Sequence, residues 1–226
     1  LSRAKLILKR DRRESLRFGH PWIYRSQIAR LEGSPKPGDL LVVSTEAGRF
    51  MGQATYNPGT EITARILTRF EGPIDGAFFV KKFREAAAFR EKVLAKADAM
   101  RLVSSEGDGL PGLIVDRYGP VLVVQLLTLG MERLREDILD SLRKVFSPEA
   151  IYERSDTGSR LIEGLEERKG WIGRPGPSSV LIREGDVRFE VIFEAGHKTG
   201  FYLDQRENRI LLANSLRGRV LDAFCY

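Results

Sequence analysis

The apolar pattern of this chain changes period between residues 70 and 75, and that change splits it into regions of different architecture. Before the switch, "AKLILK" alternates apolar and basic residues, "DLLVVSTEAGRFMGQATYNP" holds two strand-like runs around a Glu-Ala-Gly turn, and "ITARILTR" alternates again. Pro35, Pro37 and Gly38 break the chain ahead of the first of those two runs. Short strands of this kind predict a compact β barrel. From residue 75 to 97, Phe79, Phe83, Ala86, Ala87, Arg90 and Leu94 recur at three- and four-residue spacing among Ala, Lys and Glu. That spacing predicts one long helix and a domain boundary.

Beyond the helix the reading is mixed. "MRLVSSEGDGLPGLIVDRYGPVLVVQLLT" gives three strands separated by glycine turns, and "MERLREDILDSLRKVF" gives one amphipathic helix stopped by Ser147-Pro148. "AIYERS" returns to strand, and Asp156 to Ser179, rich in Gly, Pro and charge, is expected to be an irregular connection. "SVLIREGDVRFEVIFEAG" reads as a hairpin around Glu184-Gly185-Asp186. A helix over "LDQRENRILLANSL" and a strand over "RVLDAFCY", ending at Tyr226, close the chain. The predicted class is therefore α+β and α/β in several domains.

Composition excludes some functions. The 226 residues are 42% hydrophobic, and no apolar run approaches the ~20 residues that cross a bilayer, so no membrane span is expected. The first residues lack a secretory apolar segment and cleavage site. A single cysteine, Cys225, excludes an internal disulfide or a cysteine-based zinc cluster within one chain and suits a reducing, cytoplasmic setting. The sequence starts with Leu rather than Met, which reads as a trimmed or internal start. Residues 1–30 carry nine Lys and Arg against two acids, whereas the other 28 basic residues meet 29 acids. Positive charge concentrated this way favours a polyanion such as nucleic acid, with a solvated charged surface as the plain alternative.

Four motifs bear on chemistry. In "GHPWIYRSQI", His20, Trp22 and Tyr24 stand beside Arg17 and Arg25; aromatics among arginines can stack on bases and hold phosphates, although taken alone the motif favours a turn with Trp22 packed into the barrel. His20 and His197 are the only histidines, and no metal site is expected. "EGDGLPGLIVDRYG" fails calcium-loop spacing and reads as a glycine-rich hairpin, with Asp108 and Asp116 supporting turns. In "YERSD", Glu153 and Arg154 read as an ion pair on a strand edge. "GHKTGFYLDQRENR" differs from these. Gly196 and Gly200 free the backbone, Lys198 and Thr199 bring a cation and a hydroxyl, and Phe201 and Tyr202 bring flat apolar surface. Asp204, Gln205 and Arg206 then open a helix, where Asp204 is the expected N-cap. A zwitterionic ligand with an adenine ring would use all of these groups.

Taken in order, "GHPWIY", "GDGLPGLIVDRYG", "YERSD", "EGL", "HKTGFYLDQRENR" and "VLDAFCY" resemble the bacterial and archaeal family of ribosomal RNA large-subunit methyltransferase I, essentially end to end. That resemblance implies a PUA-like RNA-binding barrel over residues 1–69 and a central α/β domain over 74–182. It further implies that 183–226 begin a Rossmann-like methyltransferase domain. The cofactor would be S-adenosylmethionine, the product 5-methylcytosine, and the partner 23S ribosomal RNA. Implied cofactor residues are Lys198, Thr199, Phe201, Tyr202, Asp204, Gln205, Arg206, Asp222 and Phe224; implied RNA residues are Arg12, Arg13, Arg17, His20, Trp22 and Arg25. The family continues past "VLDAFCY" with a Thr-Gly-Gly-Phe turn, an Asp-Pro-Pro segment and the nucleophilic cysteine, which is therefore expected downstream of Tyr226. This chain alone is expected to carry no catalytic residue and to bind cofactor weakly or not at all unless a homodimer completes the pocket. Cys225 is assigned to core packing. An RNA-binding module without catalysis and a methyltransferase with another target base are the alternatives.

Overall fold

The computed structural model describes residues 4–10, 16, 18–94, 97–196, 199–221 and 223. Six strands form the first layer: β1 (Lys5–Leu8), β2 (Trp22–Tyr24), β3 (Ile28–Glu32), β4 (Leu40–Thr45), β5 (Phe50–Tyr56) and β6 (Ile62–Thr68). They lie in the order β2-β6-β5-β4-β1-β3, with β1 parallel to β4 and the other pairs antiparallel. Leu6, Leu8, Ile23, Leu41, Val43 and Ile66 fill the concave side. The expected barrel is a half-barrel, because β2 and β3 each pair on one side and do not meet. Its curl comes from register shifts in the β4–β5 and β5–β6 pairs. At Gly52 a side chain would lie 2.7 Å from the Thr68 carbonyl oxygen, so only glycine permits that approach.

The long helix, α1 (Gly76–Val93), starts where the Asp75 carboxylate accepts from the backbone N–H groups of Ala77 and Phe78. It buries Phe79, Phe83 and Ala86 against the central sheet, as the spacing requires. That sheet runs β11-β10-β9-β8-β7, from β7 (Ala99–Ser104), β8 (Leu113–Tyr118), β9 (Val121–Leu126), β10 (Ala150–Ser155) and β11 (Arg168–Trp171). Only β9 and β10 are parallel, so the crossover between them must contain helix.

The crossover departs from the sequence reading. Where one helix is expected there are two, α2 (Leu129–Arg133) and α3 (Arg135–Phe146), broken at Leu134. Each serves a different neighbour. On α2, Gly130 presses against Thr55 of β5 so closely that a Cβ would lie 2.3 Å from the Thr55 Cβ, whereas α3 packs on α1. The expected irregular stretch from Asp156 to Ser179 contains α4 (Gly158–Ile162) and the edge strand β11. One of its charges is internal although most of the stretch is exposed: Arg160 is 1% exposed, donates to the Glu166 carbonyl and the Leu126 carbonyl, and pairs with Glu132.

Two acids also change role. Asp116 lies in the middle of β8 and is fully buried, so it supports no turn. Glu153 and Arg154 are neighbours on β10, which is an interior strand, and their side chains therefore point to opposite faces; Glu153 pairs with Arg135 and Arg154 with Asp156.

β12 (Ser179–Glu184) and β13 (Val187–Ile192) form the expected hairpin. Ile182, Val191 and Phe193 pack on Tyr118, Val123 and Tyr152 of the central sheet. The last helix, α5 (Arg206–Ser215), follows a single turn at Leu203–Gln205. Gln205 holds its N-cap position without a side-chain bond, so Asp204 is not the cap. Of the expected final strand, Arg219–Leu221 and Ala223 show none, and Asp222, Phe224, Cys225 and Tyr226 lie outside the described residues. The strand expected to run to Tyr226 is thus not observed over the described part of that segment. A strand requires a neighbour for its backbone groups.

Candidate cofactor loop and nucleic-acid face

The segment after β13 doubles back on itself. At Gly196 an added Cβ would meet the Gly200 carbonyl oxygen at 2.6 Å, and at Gly200, whose φ is +129°, it would meet Val191 Cγ1 at 2.9 Å. The turn is held by side chains from remote motifs. Arg154 Nη1 donates to the carbonyls of Phe193 and Gly196, each at 2.8 Å. Thr199, 1% exposed, donates to Asp116 Oδ2 at 2.5 Å. Arg209 donates to the Tyr202 carbonyl at 2.9 Å while its guanidinium forks onto Glu184 at 2.8 and 2.7 Å. The same guanidinium lies 4.4 Å from the centre of the Phe201 ring, and Phe189 lies 5.0 Å from that ring.

The predicted cofactor residues therefore divide. Thr199 turns inward and Phe201 is clamped between Arg209 and Phe189, whereas Asp204 and Gln205 are exposed and Tyr202 and Arg206 are half-buried. Phe201, Asp204 and Arg206, with Arg101 of β7, line a cavity of about 250 Å³. The Nε of Arg206 is buried without a hydrogen-bond partner. Lys198, Asp222 and Phe224 lie outside the described residues.

Electrostatics keep the support charged. The hydrogen bond to Asp116 raises the Arg101 pKa against the opposing effect of burial. Burial, then the Asp116 charge, push the Tyr118 phenol up, so it remains a proton donor. Because the single Thr199 proton goes to Asp116, Tyr118 is the donor in its 3.2 Å contact with the Thr199 hydroxyl.

The predicted RNA residues lie elsewhere, on the half-barrel. His20, Trp22 and Tyr24 form an edge-to-face series with ring centres 5.3 and 6.4 Å apart. Trp22 is not packed into the barrel core: its indole N–H donates to Glu106 of the central domain at 2.8 Å. Burial pushes the Glu106 carboxyl up, but hydrogen bonds from Ser105 and Trp22 more than offset it and the net shift is downward. Arg25 is exposed, and its Nη2 donates to the Pro58 carbonyl at 2.7 Å. Arg12, Arg13 and Arg17 fall outside the described residues. Between β6 and α1 lies a cleft of about 620 Å³ with Arg69, Phe70, Lys81 and Lys82 on its walls, missed in the sequence because its two sides come from the half-barrel and from the helix that follows it. Phe18 and Phe70 are 84% and 80% exposed.

Residues 6–69 match the PUA-like domain family. Ribosomal RNA large subunit methyltransferase I of Vibrio cholerae is 39% identical over 225 residues, covering 98% of this chain and 57% of that protein. The chain is a homologue of this methyltransferase. The Vibrio parahaemolyticus protein of the same name is 40% identical over 227 residues, covering 99% of this chain and again 57% of the relative. This homologue thus spans little more than half the length of the curated relatives it matches. A solved structure assigned as a methyltransferase in complex with SAH superposes with a TM-score of 0.76 at 20% identity, over 93% of this chain and 53% of the other, and so shares its fold. The residues that sequence reasoning missed, Arg101, Asp116, Arg154 and Arg209, surround the loop. The signal for one of them was present: Asp116 interrupts an apolar strand and therefore needed a buried partner.

Proposed function

We propose that this chain is the RNA-binding and cofactor-loop part of an S-adenosylmethionine-dependent ribosomal RNA methyltransferase acting in the cytoplasm. The finer reading is formation of 5-methylcytosine in 23S ribosomal RNA, with domains at 1–69, 74–182 and 183–226 and the nucleophilic cysteine supplied downstream of Tyr226. The observation that carries it is the strapped loop from Gly196 to Arg206, which brings Phe201, Asp204 and Arg206 to one cavity and leaves the Arg206 Nε buried and unpartnered. Those groups suit a zwitterionic adenosyl ligand: an N–H for a carboxylate, a carboxylate for an ammonium or hydroxyls, and an aromatic edge. The cavity is smaller than the roughly 300–1,000 Å³ of complete ligand sites, so it accepts part of the ligand. When bound, the cofactor supplies an electrophilic methyl group. This chain's residues orient it and exclude water from one side.

Phe201, Asp204 and Arg206 are assigned to direct contact, with Lys198, Tyr202, Gln205, Asp222 and Phe224 joining them by the family resemblance. Arg12, Arg13, Arg17, His20, Trp22 and Arg25 are assigned to RNA, supported by the basic charge of residues 1–30 and the aromatic series on β2. Two measurements on the full-length gene product test the reading. S-adenosylhomocysteine should bind in calorimetry and Arg206→Ala should weaken it by at least about tenfold, as expected for loss of a charge-assisted contact. In filter binding, affinity for 23S ribosomal RNA fragments should fall steeply with salt, and joint replacement of Arg12, Arg13 and Arg17 by Ala should flatten that slope by up to about three phosphate contacts. Salt-steep RNA binding without any adenosyl ligand would instead make the chain an RNA-binding module.

A further inference from the structure

We propose that Asp116 is a positioning residue for the cofactor loop, acting through the Thr199 hydroxyl, and that Thr199 is a buckle rather than a ligand contact. The inference rests on the cofactor reading of that loop.

A carboxylate buried in the middle of a strand is costly unless its charge and its lone pairs are both answered. Arg101 answers the charge. It is the direct cross-strand partner of Asp116 in the β7–β8 ladder, and its guanidinium forks onto the carboxylate at 2.8 and 3.0 Å. One oxygen, Oδ2, retains further acceptor capacity, and the Thr199 hydroxyl takes it at 2.5 Å. Tyr118, two residues along β8 and on the same face, donates to the Thr199 hydroxyl and approaches the Phe201 carbonyl at 3.5 Å. The loop thus docks onto a polar socket built by strands that precede it by more than eighty residues.

The socket reaches the ligand cavity at both ends. Arg101 has 39% of its side chain exposed and lines the same cavity as Phe201, Asp204 and Arg206. Thr199 lies two residues before Phe201 and seven before Arg206. The extra bond to a hydroxyl of the loop fixes where the ligand-facing residues stand relative to the central sheet, and such placement is what a binding site needs within fractions of an ångström.

The test uses the full-length gene product and three variants. Thr199→Val replaces the hydroxyl by a methyl group of similar volume, Thr199→Ser keeps the hydroxyl, and Tyr118→Phe removes only the phenolic oxygen. Measured are S-adenosylhomocysteine binding by calorimetry, ribosomal RNA binding by filter assay, and ligand-free amide exchange over residues 199–206. Thr199→Val should weaken the adenosyl ligand at least about tenfold and speed exchange in the loop, while RNA affinity stays at the wild-type value. Thr199→Ser should bind within about threefold of wild type, and Tyr118→Phe should fall between the two. Wild-type ligand affinity in Thr199→Val, or equal loss in Thr199→Ser, overturns the proposal. Should Thr199→Val fail to fold, unchanged ligand affinity in Tyr118→Phe overturns it instead. Absence of ligand binding by the wild-type protein is a separate result: it removes the cofactor reading itself, and this inference with it.

Discussion

One buried carboxylate bridges the half-barrel and the α/β region that follows it, and its removal gives a direct test of that junction. Glu163, at the end of α4, is 4% exposed and pairs with Arg65 of β6 at 2.7 Å. It also accepts from Asn57 Nδ2 at 2.8 Å and from the backbone N–H of Leu129, at the start of α2, at 3.2 Å. Glu163→Ala leaves Arg65, only 11% exposed, without its counter-charge, deprives the Leu129 N–H of its acceptor and leaves Asn57 Nδ2 only the Glu163 backbone carbonyl. Breaking a buried pair from one side costs about 3–5 kcal/mol, because the surviving charge stays desolvated. In a chain of this size each kcal/mol moves the melting temperature by roughly 2–4 °C, so the variant should melt roughly 6–20 °C below wild type. Urea unfolding followed by far-ultraviolet circular dichroism supplies the free energy. In a double-mutant cycle, Arg65→Ala in the Glu163→Ala background should cost far less than in wild type. A loss under about 1 kcal/mol for Glu163→Ala, with additive behaviour in the cycle, would refute the view that this carboxylate joins the domains.

Two further outcomes follow from the same contacts. Burial pushes the Glu153 carboxyl up, but the Arg135 guanidinium, aided by Ser155, brings its net pKa below the ordinary carboxylate value. A depressed folded pKa means that its stabilisation is complete above roughly pH 4.5 and is lost as the pH falls through the lower folded value. Glu153→Gln should therefore be less stable than wild type at neutral pH and lose less on acidification, measured as urea midpoints from pH 7 to pH 3; parallel curves would count against the ion pair. Gly200→Ala places a Cβ 2.9 Å from Val191 Cγ1 at a φ of +129°. It should cost about 1–3 kcal/mol and raise amide exchange from residue 196 onward, whereas an unperturbed exchange map would show that the loop takes another path.

Periodicity alone determined most of the elements. The strand-like run in "LLVVST", the alternation in "ITARILT" and the three-to-four spacing at Phe79 and Phe83 mark each segment's element type, a local property that the residues themselves carry. The glycines and mixed chemistry of "GHKTGFYLDQR" likewise marked the loop before any contact was known. What the sequence left open were partnerships between distant residues. The pairing of Glu153 with Arg135 instead of Arg154, the burial of Arg160 in a stretch that reads as an irregular connection, and the break between α2 and α3 each depend on which surface arrives from elsewhere in the chain. Asp116 shows the division most sharply. Its position in an apolar strand demanded a buried partner, but that the partner would include Thr199, eighty-three residues later, was decided only when the β12–β13 hairpin packed on β8 and carried the loop onto it. A charge's need for compensation is local; the group that answers it is chosen by tertiary packing.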